Sequence, residues 1–373
     1  MFNRGPVTQR SMPFWPLQYR GTDPFGGPIL GAMDSLETAD LLCWAGKEGF
    51  IELTSAHDDD LVPWNPKRPE DDLDKSGLVY GRLMEIRQKL DAANVGFHMV
   101  TCCLHGDPMF RRGGLTNPDP KIRELAKLKV QRTLRIGSML GAKRFTYWVA
   151  RDGFEVMITV DPKVMDWLAE GLNSAISYMT EASLDYDMAT IEPKPNEPRG
   201  HMYLPTAGHA AAFTQALNEP GFWKVNPELT QHEGMAGLDP ITCIRLLVKL
   251  DKLGFLHFGN QINGQFDNDF PPLVGPEHLK ETAEMFRVLE QLGWKGVVEY
   301  DCHALRSELN PDDSLGCKKD FIVDCTMGLS ISLKLAERIK SLVFGMRESQ
   351  ADLNSIMLLC NLSDEDVSHY LVR

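Results

Sequence analysis

One pattern repeats along this chain and limits what it can fold into. An amphipathic stretch of helical period is followed by a short strand-like run, then by glycine, proline, histidine or an acidic residue. Leu36, Ala39, Leu42 and Cys43 lead into residues 50–53 and then His57. Leu83, Ile86, Leu90 and Ala93 lead into 95–101, and Leu125, Leu128, Thr133, Ile136 and Leu140 lead into 143–148. Four more units follow, with strands expected at 187–191, 222–225, 255–258 and 296–300. Apolar residues at i, i+3, i+4 and i+7 mark the helices. The short runs mark strands buried on both faces, as parallel strands are. An opening strand near 14–19 brings the count to eight, and an eighth helix fits at 321–342. Strict alternation calls for a parallel sheet with helices outside it. Eight units favour closure into a barrel over an open doubly wound sheet, and no GxGxxG follows the first strand. The expectation is one α/β domain, a (β/α)8 TIM barrel over 1–345, with a short C-terminal arm at 346–373.

A length of 373 residues suits a barrel with insertions, since the bare fold needs about 250. The 52 acidic residues outnumber 39 basic ones for a formal charge of -13. That field repels nucleic acid and anionic membranes. No apolar run has the ~20 residues needed to span a bilayer, and the N-terminus lacks the apolar core of a signal peptide. The eight cysteines are scattered apart from Cys102-Cys103 and form no CxxC. Reduced thiols in a cytoplasmic protein are expected.

The polar residues fall in a pattern of their own. Glu192, Glu228, Asp267, Asp269 and Asp301 all lie at or past the C-terminal ends of expected strands. In a barrel those ends converge on one mouth, where active sites are built. Carboxylates crowded there repel at ~4 kcal/mol per pair at 4 Å with an effective dielectric near 20, so protons, lysine or metal must relieve them. Oxygen ligands with an imidazole suit Mg²⁺, Mn²⁺ or Co²⁺ better than a thiolate metal. Glu228 and His232 are close enough in one loop to chelate a single ion, and Asp267 and Asp269 can turn to one cation from a loop. His57 precedes Asp58, Asp59 and Asp60, and a histidine beside carboxylates suits proton transfer near neutral pH. Lys194 stands between Pro193 and Pro195, which fix the backbone and aim it. Trp15 and Trp148 can form flat walls against a ligand or pack in the core. Solvated loop charges are the plain alternative for each acid taken singly.

The motifs carrying these residues resemble those of xylose isomerases, particularly the shorter actinobacterial type. The similarity lies in Ile191-Glu-Pro-Lys-Pro-Asn-Glu-Pro-Arg199, Leu204-Pro-Thr-Ala-Gly-His209, His57-Asp-Asp-Asp-Leu-Val-Pro63, Gly21-Thr-Asp-Pro-Phe-Gly26, Val225-Asn-Pro-Glu228 and His232-Glu-Gly-Met-Ala-Gly-Leu238. The resemblance implies a metal-dependent aldose–ketose isomerase that opens a sugar ring and shifts a hydride between C1 and C2. It implies one or two divalent ions (Mg, Mn or Co) per subunit and a homo-oligomer, dimer or tetramer. On this reading His57 and Asp60 open the ring and Lys194 contacts the substrate carbonyl oxygen. Glu192, Glu228 and Asp301 hold one ion, and Glu228, His232, Asp267 and Asp269 hold the other. Trp15 and Trp148 are walls, and Phe25 reaches into a neighbouring subunit's site.

The chain also departs from the pattern. Gly259 or Asn260 stands where the family has an aspartate ligand, leaving Asn260 or His257 as replacements. Cys103 and His105 replace an asparagine and a phenylalanine, and His303 replaces a lysine, which puts His105 and His303 among the candidate substrate-binding residues. One extra residue separates Glu228 from His232. These departures leave two alternatives to isomerisation: an epimerase or lyase acting on a sugar or glycoconjugate, or an inactive carbohydrate-binding paralogue.

Overall fold

Eight strands pair in one parallel sheet in a computed structural model that describes residues 5–18, 33–67, 73, 75, 77–265, 267–272, 279–303 and 315–349. They are β1 Val7–Ser11, β2 Leu53–His57, β3 Gly96–Thr101, β4 Arg144–Trp148, β5 Met188–Glu192, β6 Trp223–Val225, β7 Leu256–His257 and β8 Gly296–Glu299. The sheet runs β6-β5-β4-β3-β2-β1-β8-β7, so each strand lies beside its neighbours in sequence. The two ends meet through parallel bridges, Val225 to Leu253 and Glu228 to His257. There the Val225 amide donates to the Lys252 carbonyl at 2.7 Å, and Gly254 donates to Val225 at 2.9 Å. The sheet thus closes on itself as the TIM barrel that the alternation implied.

The helices between the strands are α1 Ser35–Lys47, α2 Leu78–Ala92, α3 Pro120–Leu140, α4 Val164–Glu181, α5 Ala207–Phe213, α6 Pro240–Lys249, α7 Leu279–Gln291 and α8 Leu315–Ser349. Their starts follow from local chemistry. Asp34 and Glu37 form a capping box at α1, and Asp119-Pro120 and Asp239-Pro240 open α3 and α6. An aspartate side chain satisfies the first free amides, and proline fits where no donor is needed. Gly141 ends α3 at φ +94°, a left-handed conformation that glycine adopts without strain. Among the described residues no helix is long and apolar enough to cross a membrane.

The structure corrects the opening strand. It is Val7–Ser11, whereas Trp15–Gln18, expected inside a strand at 14–19, forms a single helical turn. The count of eight called for an opening strand, but the true one carries Thr8, Gln9, Arg10 and Ser11. The second strand is displaced too, starting at Leu53 rather than ending there. The cause is the same: Thr54, Ser55, Thr146 and Thr190 are fully buried, and hydroxyl pairs such as Thr146 with Thr190 at 2.7 Å fill the interior. The eighth helix extends beyond 321–342 at both ends. Phe25 and residues 350–373 of the expected arm lie outside the described residues.

Candidate metal centre

The barrel brings its acidic strand ends to one mouth. Glu192 ends β5, Glu228 follows β6, His257 ends β7 and Asp301 follows β8. Ligand atoms of these four residues lie within 4.8 Å of one another, and those of Glu228, His232 and Asp267 form a second such group. Glu228 belongs to both. Asp269 lines the same cavity without joining either group, and its residue stands at φ +46°.

The extra residue between Glu228 and His232 is absorbed by a π-helical turn, Leu229–Glu233. The wider turn returns His232 beneath Glu228, with the His232 amide bonded to the Glu228 carbonyl at 2.7 Å. Such turns recur at functional sites. His232 Nδ1 donates to the Pro193 carbonyl at 2.8 Å, which leaves Nε2 facing Glu228 Oε2 at 2.6 Å and Asp267 Oδ2 at 3.4 Å. A proton or a metal ion must lie between atoms that close. Burial, Asp301 and Asp267 push the Glu228 carboxyl up to about 8 against the opposing pull of His232. Burial alone would lower His232, but Glu228 and Asp267 outweigh it and hold the imidazole well above its ordinary value.

Of the two proposed replacements for the missing acid, His257 enters the first group. Its Nδ1 stands 2.9 Å from Asp301 and 3.5 Å from Glu192. Asn260 instead accepts from the Gln261 amide at 2.9 Å and pairs with Phe270 through the backbone. That pairing closes the loop carrying Asp267 and Asp269. Behind His257, Glu299 faces Nε2 at 3.1 Å and also contacts His98 Nε2 at 2.7 Å and Ser11 at 2.5 Å. Burial would raise Glu299, but His98 and His257 hold it well below the usual carboxylate range. An ionised Glu299 accepts the Nε2 proton and so turns the Nδ1 lone pair toward the acids, as carboxylate–imidazole–metal arrangements do.

A divalent ion fits these residues. Glu228 Oε1 is buried without a hydrogen-bond partner among the described residues, and carboxylate oxygens with one imidazole per group suit a hard or borderline cation. Both imidazoles are held above their ordinary value, His257 by Glu192 and Asp301 against the effect of burial. Ion uptake should therefore release protons and tighten as pH rises from 6 to 8. Calorimetry in buffers of different ionisation heat measures this directly, and proton uptake or no exchange would contradict it.

The remaining candidates surround the ion groups. Lys194 is fully buried, with Nζ 2.8 Å from Asp267 and 5.6 Å above the Trp148 ring centre. Burial opposes its charge, but Asp267, Glu197 and Asp269 raise its pKa. His57 Nδ1 lies 3.1 Å from Asp60, which also accepts from the His57 amide at 2.7 Å. Trp15, His57, His105 and Trp148 follow one another along one wall, ring centres 4.7, 5.4 and 4.9 Å apart. Trp15 also donates to Asp301 at 2.8 Å. Burial holds His105 well below its ordinary value, as a neutral imidazole. His303 also lines the cavity, 3.8 Å from Asp269. The space they line, counted with the solvent at its open mouth, is about 590 Å³. Asp60 stands behind His57 rather than on the cavity surface.

The family described as "Xylose isomerase-like TIM barrel" matches residues 49–317. The xylose isomerase of Thermus thermophilus is 33% identical over 310 residues, 83% of this chain and 76% of that relative. The chain belongs to the xylose isomerase-like TIM-barrel family. Two solved structures share the fold at 14% identity. One is an L-ribulose 3-epimerase, with TM-score 0.61 over 90% of this chain and 97% of that one. The other is the D-psicose 3-epimerase of Clostridium cellulolyticum H10, with TM-score 0.59 over 88% and 99%. The buried Glu/His/Asp cluster of this xylose isomerase-like barrel is consistent with a divalent-metal site. Sequence reasoning missed Glu299 and His98, whose only signal was a charged or titratable residue within a strand otherwise buried on both faces.

Proposed function

We propose that this chain is a divalent-metal-dependent aldose–ketose isomerase that acts on a free sugar by hydride shift. The observation that carries the reading is the pair of carboxylate–imidazole groups sharing Glu228, with the buried Lys194 ammonium held beside the second. Glu192, Glu228, His257 and Asp301 would hold one ion, and Glu228, His232 and Asp267 the other, with Asp269 close by. Bound ions of this kind polarise sugar oxygens as Lewis acids.

The protein's own residues supply the rest. His57, fixed by Asp60, is placed to move a proton between the anomeric hydroxyl and the ring oxygen. The wall formed by Trp15 and Trp148 excludes water and receives the apolar face of the sugar chain. Neutral His105 both donates and accepts toward a hydroxyl. Lys194 meets negative charge as it grows on the carbonyl oxygen during transfer.

Replacement of one acid by His257 favours a second reading, a ketose epimerase that transfers a proton. The two neighbouring folds named as 3-epimerases support it. Incubating pentoses and hexoses in D₂O with Mg²⁺, Mn²⁺ or Co²⁺, followed by NMR, separates the two. A hydride shift gives the isomeric sugar with no solvent deuterium on carbon. An epimer carrying carbon-bound deuterium would replace the isomerase reading, and no conversion of any sugar would remove both.

A further inference from the structure

One charged cluster lies outside the ion groups. His57 is followed by three aspartates that form a single helical turn, Asp58–Leu61. Asp60, third residue of the turn, closes a capping box on His57 and pairs with its imidazole. Asp58 and Asp59 are drawn the other way by Lys129, whose Nζ stands 2.5 Å from Asp58 Oδ2 and 3.0 Å from Asp59 Oδ2. Lys129 is fully buried on the inward stripe of α3, between Ala126 and Val130 on one side and Thr133 on the other. Asp58 is also fully buried and accepts from the Cys103 amide at 2.8 Å, which ties the turn to the end of β3. Arg132 reaches Asp58 at 3.6 Å, and the Lys129 ammonium lies 5.3 Å above the Trp64 ring.

A buried ion cluster adds little net stability compared with a packed apolar one, and its best-attested use is to specify one arrangement among competitors. We propose that Lys129 is a positioning residue for His57, holding Asp58 and Asp59 away so that the imidazole has Asp60 as its single carboxylate partner. Burial would lower the Lys129 ammonium, but the two aspartates outweigh it and keep it charged. The consequence for turnover rests on the ring-opening role proposed for His57, whereas the consequence for the His57–Asp60 contact does not.

The test is Lys129→Met, alone and combined with Asp58→Asn, which removes the buried charge left behind and keeps the test usable if the single variant fails to fold. In ¹⁵N-histidine NMR the unaltered protein should show a hydrogen-bonded His57 Nδ1 proton, identified by its loss in Asp60→Asn. That resonance should disappear in both Lys129 variants. On an aldose that closes a ring, kcat/KM should fall on the order of 10²-fold. On glyceraldehyde, too short to cyclise, it should change by less than about 2-fold. An unchanged His57 resonance overturns the proposal, as does an equal loss on both substrates. If the unaltered protein converts no sugar, the isomerase reading falls, and the resonance alone decides the role of Lys129.

Discussion

Replacing Lys194 by methionine should lower kcat about 10²-fold or more while changing sugar affinity little. Lys194 is a buried point charge beside the second ion group, with Asp267 at 2.8 Å. An ammonium so placed gains most when an oxygen nearby becomes negative, which happens in the transition state and not in the bound sugar. Methionine keeps the length and the packing against Trp148 but removes the charge. It also releases Asp267, which Lys194 and His232 hold well below its usual range despite burial. Affinity for an ion at Glu228, His232 and Asp267 should therefore stay level or rise, which excludes ion loss as the cause of the slow turnover. Steady-state kinetics with calorimetric ion titration provide both readouts. A variant with full kcat would remove the role assigned to Lys194.

Glu228→Gln should abolish the effect of divalent ions on stability and cut ion binding at both groups together, because Glu228 is the ligand they share. In the unaltered protein an ion at about 100 times its dissociation constant should add ~2.7 kcal/mol, read as a higher Tm with Mn²⁺ or Co²⁺ than with EDTA. The order should invert without ions. Burial and neighbouring acids push Glu228 up to about 8, so its charged form is already disfavoured there. A neutral glutamine of the same shape avoids that cost, and in EDTA the variant should melt at or above the unaltered protein. An Mn²⁺-dependent rise in the variant equal to that of the unaltered protein would show that Glu228 is not shared.

The barrel was legible because six strands coincide with apolar runs that period analysis detects, and the second, rich in Thr and Ser, lies directly after such a run. The first strand was not, because its Thr, Gln, Arg and Ser have no apolar signature, and Ser11 faces Glu299 inside the barrel. The acids at the mouth were legible because strand ends converge wherever a barrel closes. His257 could be named only as one of two replacements, since choosing it over Asn260 depends on which side chain the barrel turns inward. Glu299 and His98 were illegible for a different reason: residues that act through a neighbour's proton leave no spacing motif. Lys129 left one sign, a lysine on the apolar stripe of α3. The extra residue before His232 was visible in the sequence, but the π-helical turn that absorbs it was not.

The closure between β6 and β7 has a mechanical side. Most other neighbouring strands pair over two or more successive residues, but here the strands meet through isolated bridges at Val225–Leu253 and Glu228–His257. This is the seam of the barrel, and Glu228 and His257 stand on opposite lips of it. An ion held by both would act as a rivet across this thinly bonded line of the wall, with Glu192 and Asp301 as its outer plates. Ion loss would then loosen the cylinder at one joint, and the amides of 223–226 and 253–258 would be the first to trade protons with water.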